Sequence, residues 1–225
     1  MIKSGIDPQA LIDQFAQASA KGSEQLRQSV HDATLRSLQG RELSLKNIRG
    51  VVGQMTQAAS AAAAQAGAGG QAETMLDNAV SGMDDALLKA VEANRVALQG
   101  LMDQGVSLRD SHLKKALADL EKMEDTMLAA VTKAASAAGD PLAAPWAQVL
   151  EKFNLSGTKT GAQASGTVEQ LASQVHSAVR ETRAASIKAA QTLADSYTAL
   201  VSGVLIGMSD AIRQGGAAAK SSRKK

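Results

Sequence analysis

Three histidines, His31, His112 and His176, are the residues of this chain best suited to metal or proton chemistry. In a helical bundle an imidazole joins a carboxylate-bridged metal site when a glutamate three residues earlier shares its helix face, the Glu-x-x-His arrangement. The residues three positions before these histidines are Gln28, Arg109 and Ser173, so none completes that pair. A dinuclear site is not expected, and the histidines read as exposed or boundary residues. Glu121, Glu124 and Asp125 could supply an acidic pair for general acid–base work. They share a charged helix side with Lys114, Lys115, Asp119 and Lys122, which reads as a solvated surface. The GAGG run at 67–70 precedes a helix and could hold an anion at its N-terminus. With no lysine nearby, a plain turn between helices is the simpler reading. No Walker-type loop, dinucleotide-binding glycine motif or nucleophile elbow is present. The expectation is a protein without catalytic, metal-binding or cofactor-binding residues and without a small-molecule substrate.

Apolar contact is the chemistry that remains. Leu200, Val201, Gly203, Val204, Leu205, Ile206, Gly207 and Met208 cover nearly the whole circumference of a helix. The Gly203-x-x-x-Gly207 spacing lets another helix backbone approach closely. Two readings stand: a central helix wrapped by its own bundle, or a contact surface for a lipid monolayer, a polymer inclusion or a second protomer. Burying Leu205 or Ile206 stabilises by roughly 1.5–3 kcal/mol each, so neither is expected to stay in water without a partner. Gly50 and Gly53 sit inside another apolar stripe, where each costs about 1 kcal/mol relative to alanine. A close helix crossing is expected there to offset that cost.

Charge is concentrated at one end. The formal net charge is +2, yet Lys220, Arg223, Lys224 and Lys225 fall within the last six residues. Without those four, 20 basic residues face 22 acidic ones, a net of −2. The tail can contact phosphates nonspecifically, with strong salt dependence. No aromatic platform accompanies it.

Helices must carry all of this. Asp7-Pro8 starts one, with an acceptor at the N-cap and proline at the first helical position. Its apolar face is Leu11, Ile12 and Phe15. Ser23 is expected to cap a second helix through about Leu38, with Leu26, Val30, Leu35 and Leu38 inward. Ser44 precedes a third, which runs through the alanine-rich stretch at 58–66. A long helix follows over about 72–103, striped by Leu76, Val80, Met83, Leu87, Val91 and Leu98. A fifth, to about 138, is expected to pack antiparallel to it through Leu113, Leu117, Leu120, Met123, Met127 and Val131. Gly139-Asp140-Pro141 stops that helix and opens a short one through Phe153 that carries Trp146 and Val149.

Residues 154–166, rich in Gly, Ser and Thr, read as a flexible connector. From 158 to 213 the chain has no proline, and small or apolar residues recur at helical spacing. A helix of that extent is roughly 70–80 Å long and needs partners along it. The GMDDAL run at 82–87 is echoed by GMSDAI at 207–212, too briefly to establish a duplicated unit.

Composition agrees with this outline. Aromatics are 2% of the chain, so its apolar content is carried by Ala, Leu, Val and Met, and a narrow seam is expected in place of a thick core. There is no cysteine, which suits a reducing cytoplasm. Asp7, Pro8 and Asp13 interrupt the place where a secretion signal would need an apolar run. No stretch reaches the ~18–20 apolar residues of a membrane-spanning helix.

The runs LQGRELSLKNIRGVV at 38–52, DDALLKAVEA at 84–93, LKKALADL at 113–120 and SGVLIGMSDAI at 202–212 resemble an uncharacterised family of helical proteobacterial proteins. The resemblance covers roughly 25–215 and implies no activity. A looser, compositional likeness is to phasins, the Ala-rich helical coats of polymer granules, and it implies a bacterial cytoplasmic setting.

The expected fold is all-α: an elongated antiparallel, coiled-coil-like bundle with one very long C-terminal helix. Its expected parts are short N-terminal helices at 1–43, a bundle at 44–153, the connector at 154–166, the long helix at 167–215 packed on the bundle, and a disordered basic tail at 216–225. The expected function is noncatalytic: self-association as a homo-oligomer, or coating of a lipid or polymer granule surface. The alternative is a nucleic-acid-associated protein that uses the tail. The expected location is cytoplasmic, peripheral to a granule or membrane.

Overall fold

The computed structural model describes residues 7–39, 43–67, 70–103, 111–178, 201 and 204, without the side chains of 101, 102, 111–114 and 172–178. Every regular element among the described residues is helical. Helix α1 spans Pro8–Lys21, α2 Ser23–Leu38, α3 Leu45–Ala66 and α4 Gly70–Asp103. Helices α5 (Ser111–Glu121) and α6 (Met123–Ala135) follow, then a 3-10 turn at Asp140–Leu142, α7 (Ala143–Ser156) and α8 (Lys159–Ala178). Among the described residues no helix is long and apolar enough to cross a membrane.

The caps explain most of the starts. Asp7 Oδ1 accepts from the Gln9 and Ala10 N–H groups at 3.0 and 3.5 Å. Ser44 Oγ accepts from the Asn47 N–H at 3.4 Å. Ser23 does not cap α2; it is the first helical residue, and the N-cap is Gly22, whose φ of 128° gives a sharp turn between α1 and α2. A residue with a Cβ is strained at that angle.

Helix α4, 34 residues long, is the axis of the bundle. It packs against α2, α3, α7 and α8. Large side chains on it, Leu76, Met83, Leu87 and Leu98, are fully enclosed, and so are the small ones Ala79, Ala86, Ala90 and Ala93. Each large aliphatic contributes about 2 kcal/mol by leaving water. Alanine contributes less area, but it lets neighbouring helices come near. The N-terminal helices are not a separate unit: Phe15, Leu26, Val30 and Leu38 join the same apolar cluster as Leu87, Met127, Trp146 and Leu171.

Several expectations need correction. The fifth helix is not continuous, because Lys122 leaves helical geometry (φ −94°, ψ 3°) and separates α5 from α6. The two pieces differ in their main partner: α6 lies chiefly on α3 while also touching α8, and α5 lies on α8. Among the described residues, the expected packing of that helix back along α4 is not one of the principal contacts. The connector expected at 154–166 shrinks to Gly157 and Thr158, since α7 runs through Ser156 and α8 starts at Lys159. Of the long helix expected over 167–215, the portion to Ala178 belongs to α8. Beyond Ala178, only Val201 and Val204 are among the described residues, and both are helical.

Candidate functional site

The densest polar constellation surrounds the start of α8. A helix begins with N–H groups that have no partner within it. At α8 they are met by side chains from far along the chain. Asp84 of α4 accepts from the Lys159 N–H at 2.8 Å and the Thr160 N–H at 3.0 Å. Glu124 of α6 accepts from the Thr158 N–H at 2.7 Å and from the Thr158 hydroxyl at 2.8 Å. The Thr158 oxygen accepts in turn from the Gly161 N–H at 2.9 Å. The Thr160 hydroxyl donates to the Asp84 carbonyl at 2.9 Å. Two carboxylates on two helices thus face the positive end of the α8 dipole, where negative charge is favoured.

Space at this corner is fully used. A Cβ at Gly161 would overlap the Glu124 carboxyl group, so glycine in the first turn of α8 admits the carboxylate. Asp84 is only 3% exposed. Its neighbour Asp85 turns outward and bridges two cations: Arg27 Nη2 of α2 at 2.5 Å and Lys159 Nζ of α8 at 2.9 Å. Burial works to raise the pKa of the Asp85 carboxyl. The hydrogen bonds from Lys159 and Arg27, with their positive charges, outweigh burial and hold it below the ordinary aspartate value.

Chemically, this arrangement uses carboxylate lone pairs as helix caps. Each resolved bond of Asp84 and Glu124 runs to the chain's own backbone or to a threonine hydroxyl. The corner therefore ties α4, α6 and α8 together and, through Asp85, α2 as well. Sequence reading missed Asp84 altogether and put Glu124 on a solvated face. Glu121 and Asp125 do stand in solvent; Glu124 is partly buried, on the helix side of Leu120, Met127 and Val131, where it meets Thr158. The only available hint was the cluster Thr158, Thr160 and Gly161, whose hydroxyls and missing side chain suit a capped, closely approached helix start.

A second candidate is a cleft of about 570 Å³ between the C-terminal ends of α1 and α3 and the first turns of α2 and α4. Ser19, Ser23, Gln65, Gln71, Thr74 and Asn78 give it hydroxyl and amide groups, and among the described residues no ionisable side chain lines it. It can hydrogen-bond an uncharged group and offers no acid or base.

The other expected site residues are placed as follows. Among the described residues, a Cβ at Gly50 or Gly53 would meet nothing within 4 Å, so neither glycine marks a crossing with a described helix. The crossing is at Gly82, where a Cβ would lie 2.5 Å from the Arg27 carbonyl oxygen of α2. Gly50 and Gly53 lie toward the open side of α3, where stripe spacing alone does not place them. Val201 is 1% exposed, and Val204 is partly buried against the core. Leu200, Gly203, Leu205, Ile206, Gly207 and Met208 lie outside the described residues, as do Lys220, Arg223, Lys224 and Lys225.

His31 is buried, with Nδ1 3.0 Å from Asp32 Oδ1. The His112 and His176 side chains are outside the described set. Among the described residues no three His, Asp or Glu side chains come together as metal ligands would.

The runs at 38–52 and 84–93 thus supply the start of α3 and the Asp84–Asp85 corner of α4. The family of unknown function DUF6781 matches residues 1–214. The chain belongs to this family. The DUF6781 match takes in all of α1–α8 together with Val201 and Val204, and so the whole apolar cluster. No curated protein and no solved structure matches the chain.

Proposed function

We propose that this protein is a noncatalytic helical interaction protein that binds a second copy of itself, with the contact on one side of the 200–208 segment. The observation that carries this reading is the burial of Val201 and Val204 against the chain's own core. By sequence spacing alone, Val201, Val204, Leu205 and Met208 form one stripe of this segment, and Gly203, Ile206 and Gly207 form another. Two glycines four residues apart beside one large aliphatic suit the close approach of a partner helix. The use of the Asp84 and Glu124 carboxylates as helix caps further supports a structural role. The finer picture of an elongated, coiled-coil-like assembly belongs to the same proposal.

The test is Ile206→Asp in the full chain, read by sedimentation velocity beside far-UV circular dichroism. A wild-type dimer or larger species that becomes monomeric with unchanged helical signal is the expected result. A monomeric wild type, or a variant that associates as strongly, overturns the reading. A phasin-like coat on a granule or lipid surface uses the same residues. Flotation of a monomeric wild type with phospholipid vesicles or polymer particles, lost in Ile206→Asp, would decide for it.

A further inference from the structure

We infer that α8 is a releasable strap, held on the bundle chiefly by its polar corner, which detaches as a unit before the α2–α4 core opens. This is independent of the contact proposed at Gly203, Ile206 and Gly207. Three observations carry it. First, the face that α8 buries is made of small or hydroxyl-bearing residues: Thr160, Gly161, Ala164 and Thr167. Leu171 is its one large, fully buried apolar side chain among the described residues. Among the described side chains of α8, those of 159–171, only Leu171 and the partly buried Val168 add large apolar area to the contact, so the hydrophobic effect holds this part weakly.

Second, the bonds that hold it are polar and gathered at one end. Asp84 and Glu124 take the Thr158, Lys159 and Thr160 N–H groups, and Lys159 adds an ion pair to Asp85. Bonds with a charged partner are stronger than neutral ones, and losing one loosens the whole corner. Third, the docked face includes a polar atom without compensation. Thr167 Oγ1 is buried with no hydrogen-bond partner among the described residues, a penalty that release would relieve. The link to the preceding helix is short: Gly157 at φ 69° and Thr158, between the ends of α7 and α8. A turn in glycine-favoured geometry is a natural hinge.

Segments that open locally exchange their amides at free energies well below that of global unfolding. The test is native-state hydrogen exchange on the full chain, comparing amides of 163–178, which the carboxylates do not touch, with those of α2 and α4. In the wild type the α8 amides should exchange about tenfold or more faster than the slowest α4 amides. Asp84→Asn, which keeps the size but turns an N–H toward the helix donors, should quicken them a further tenfold or so while α2 and α4 hold their rates. Equal wild-type rates in α8 and α4 overturn the inference. So does an Asp84→Asn variant that leaves 163–178 unchanged or accelerates all helices in parallel. If Asp84→Asn does not fold, Glu124→Gln, at a less buried position, is read by the same criteria.

Discussion

The contact of α2 with α4 and the contact of α8 with α4 both depend on a glycine, for different reasons. At Gly82 the missing side chain brings two backbones together, with the Arg27 carbonyl of α2 in the space a Cβ would need. Around it Leu26, Val30, Met83 and Leu87 are enclosed, so close approach is converted into apolar burial. At Gly161 the missing side chain admits a carboxylate, and the gain is a set of hydrogen bonds to the α8 start. One interface is nondirectional and spread along the helix; the other is directional and gathered at a corner. Asp85 of α4 joins both, pairing with Arg27 of α2 and with Lys159 of α8.

The most severe way to break the contrast is Gly82→Val. Its side chain would press on backbone with no flexible end to yield, and the cost should be about 3 kcal/mol, read as a lowered urea midpoint. Little loss of stability would show that the α2–α4 approach is looser than described.

A smaller effect separates the polar corner. The folded pKa of Asp85 lies below its unfolded value, so the unfolded chain binds more protons in the window between them. The stability that Asp85 contributes is complete above about pH 4 and is lost as pH falls through the lower folded value. The thermal midpoint of the wild type should therefore fall between pH 5 and pH 2 more steeply than that of Asp85→Asn. Parallel curves would mean that the Arg27 and Lys159 pairs contribute nothing.

The mildest change is Gly50→Ala, within helix α3. Among the described residues nothing stands within 4 Å of the added methyl, so better helix propensity should raise stability by about 0.5–1 kcal/mol. Destabilisation there would reveal a close neighbour and erase the distinction between Gly50 and Gly82.

These glycines show where sequence reading ran out. Gly50, Gly53 and Gly82 all interrupt helical stripes of similar composition, and only the packing tells which one lies under another helix. Alanine carries the same ambiguity. The stripe of Leu76, Val80, Met83 and Leu87 was legible because large aliphatics rarely stay in water, but Ala79, Ala86 and Ala90 are equally enclosed and gave no sign of it. A helix read as one-sided is surrounded instead. The starts at Pro8 and Leu45 were legible because their caps, Asp7 and Ser44, sit next to them in the chain. The start at Lys159 was not, since its caps come from Asp84 and Glu124.

What the sequence determined by itself is the local part: helices throughout the described residues, most of their boundaries, and the large side chains that must be inside. Those follow from 3.6-residue periodicity and from donors and acceptors a few positions apart. The tertiary structure alone decided that α4 is the axis, that Lys122 splits a helix between two partners, and that a stretch rich in Gly, Ser and Thr becomes the first turns of α8. The physical reason is distance along the chain. Within the stretch read as a connector, 154–166, the N–H groups of Thr158, Lys159 and Thr160 are met by carboxylates 34 or more positions away, and no local pattern records that meeting.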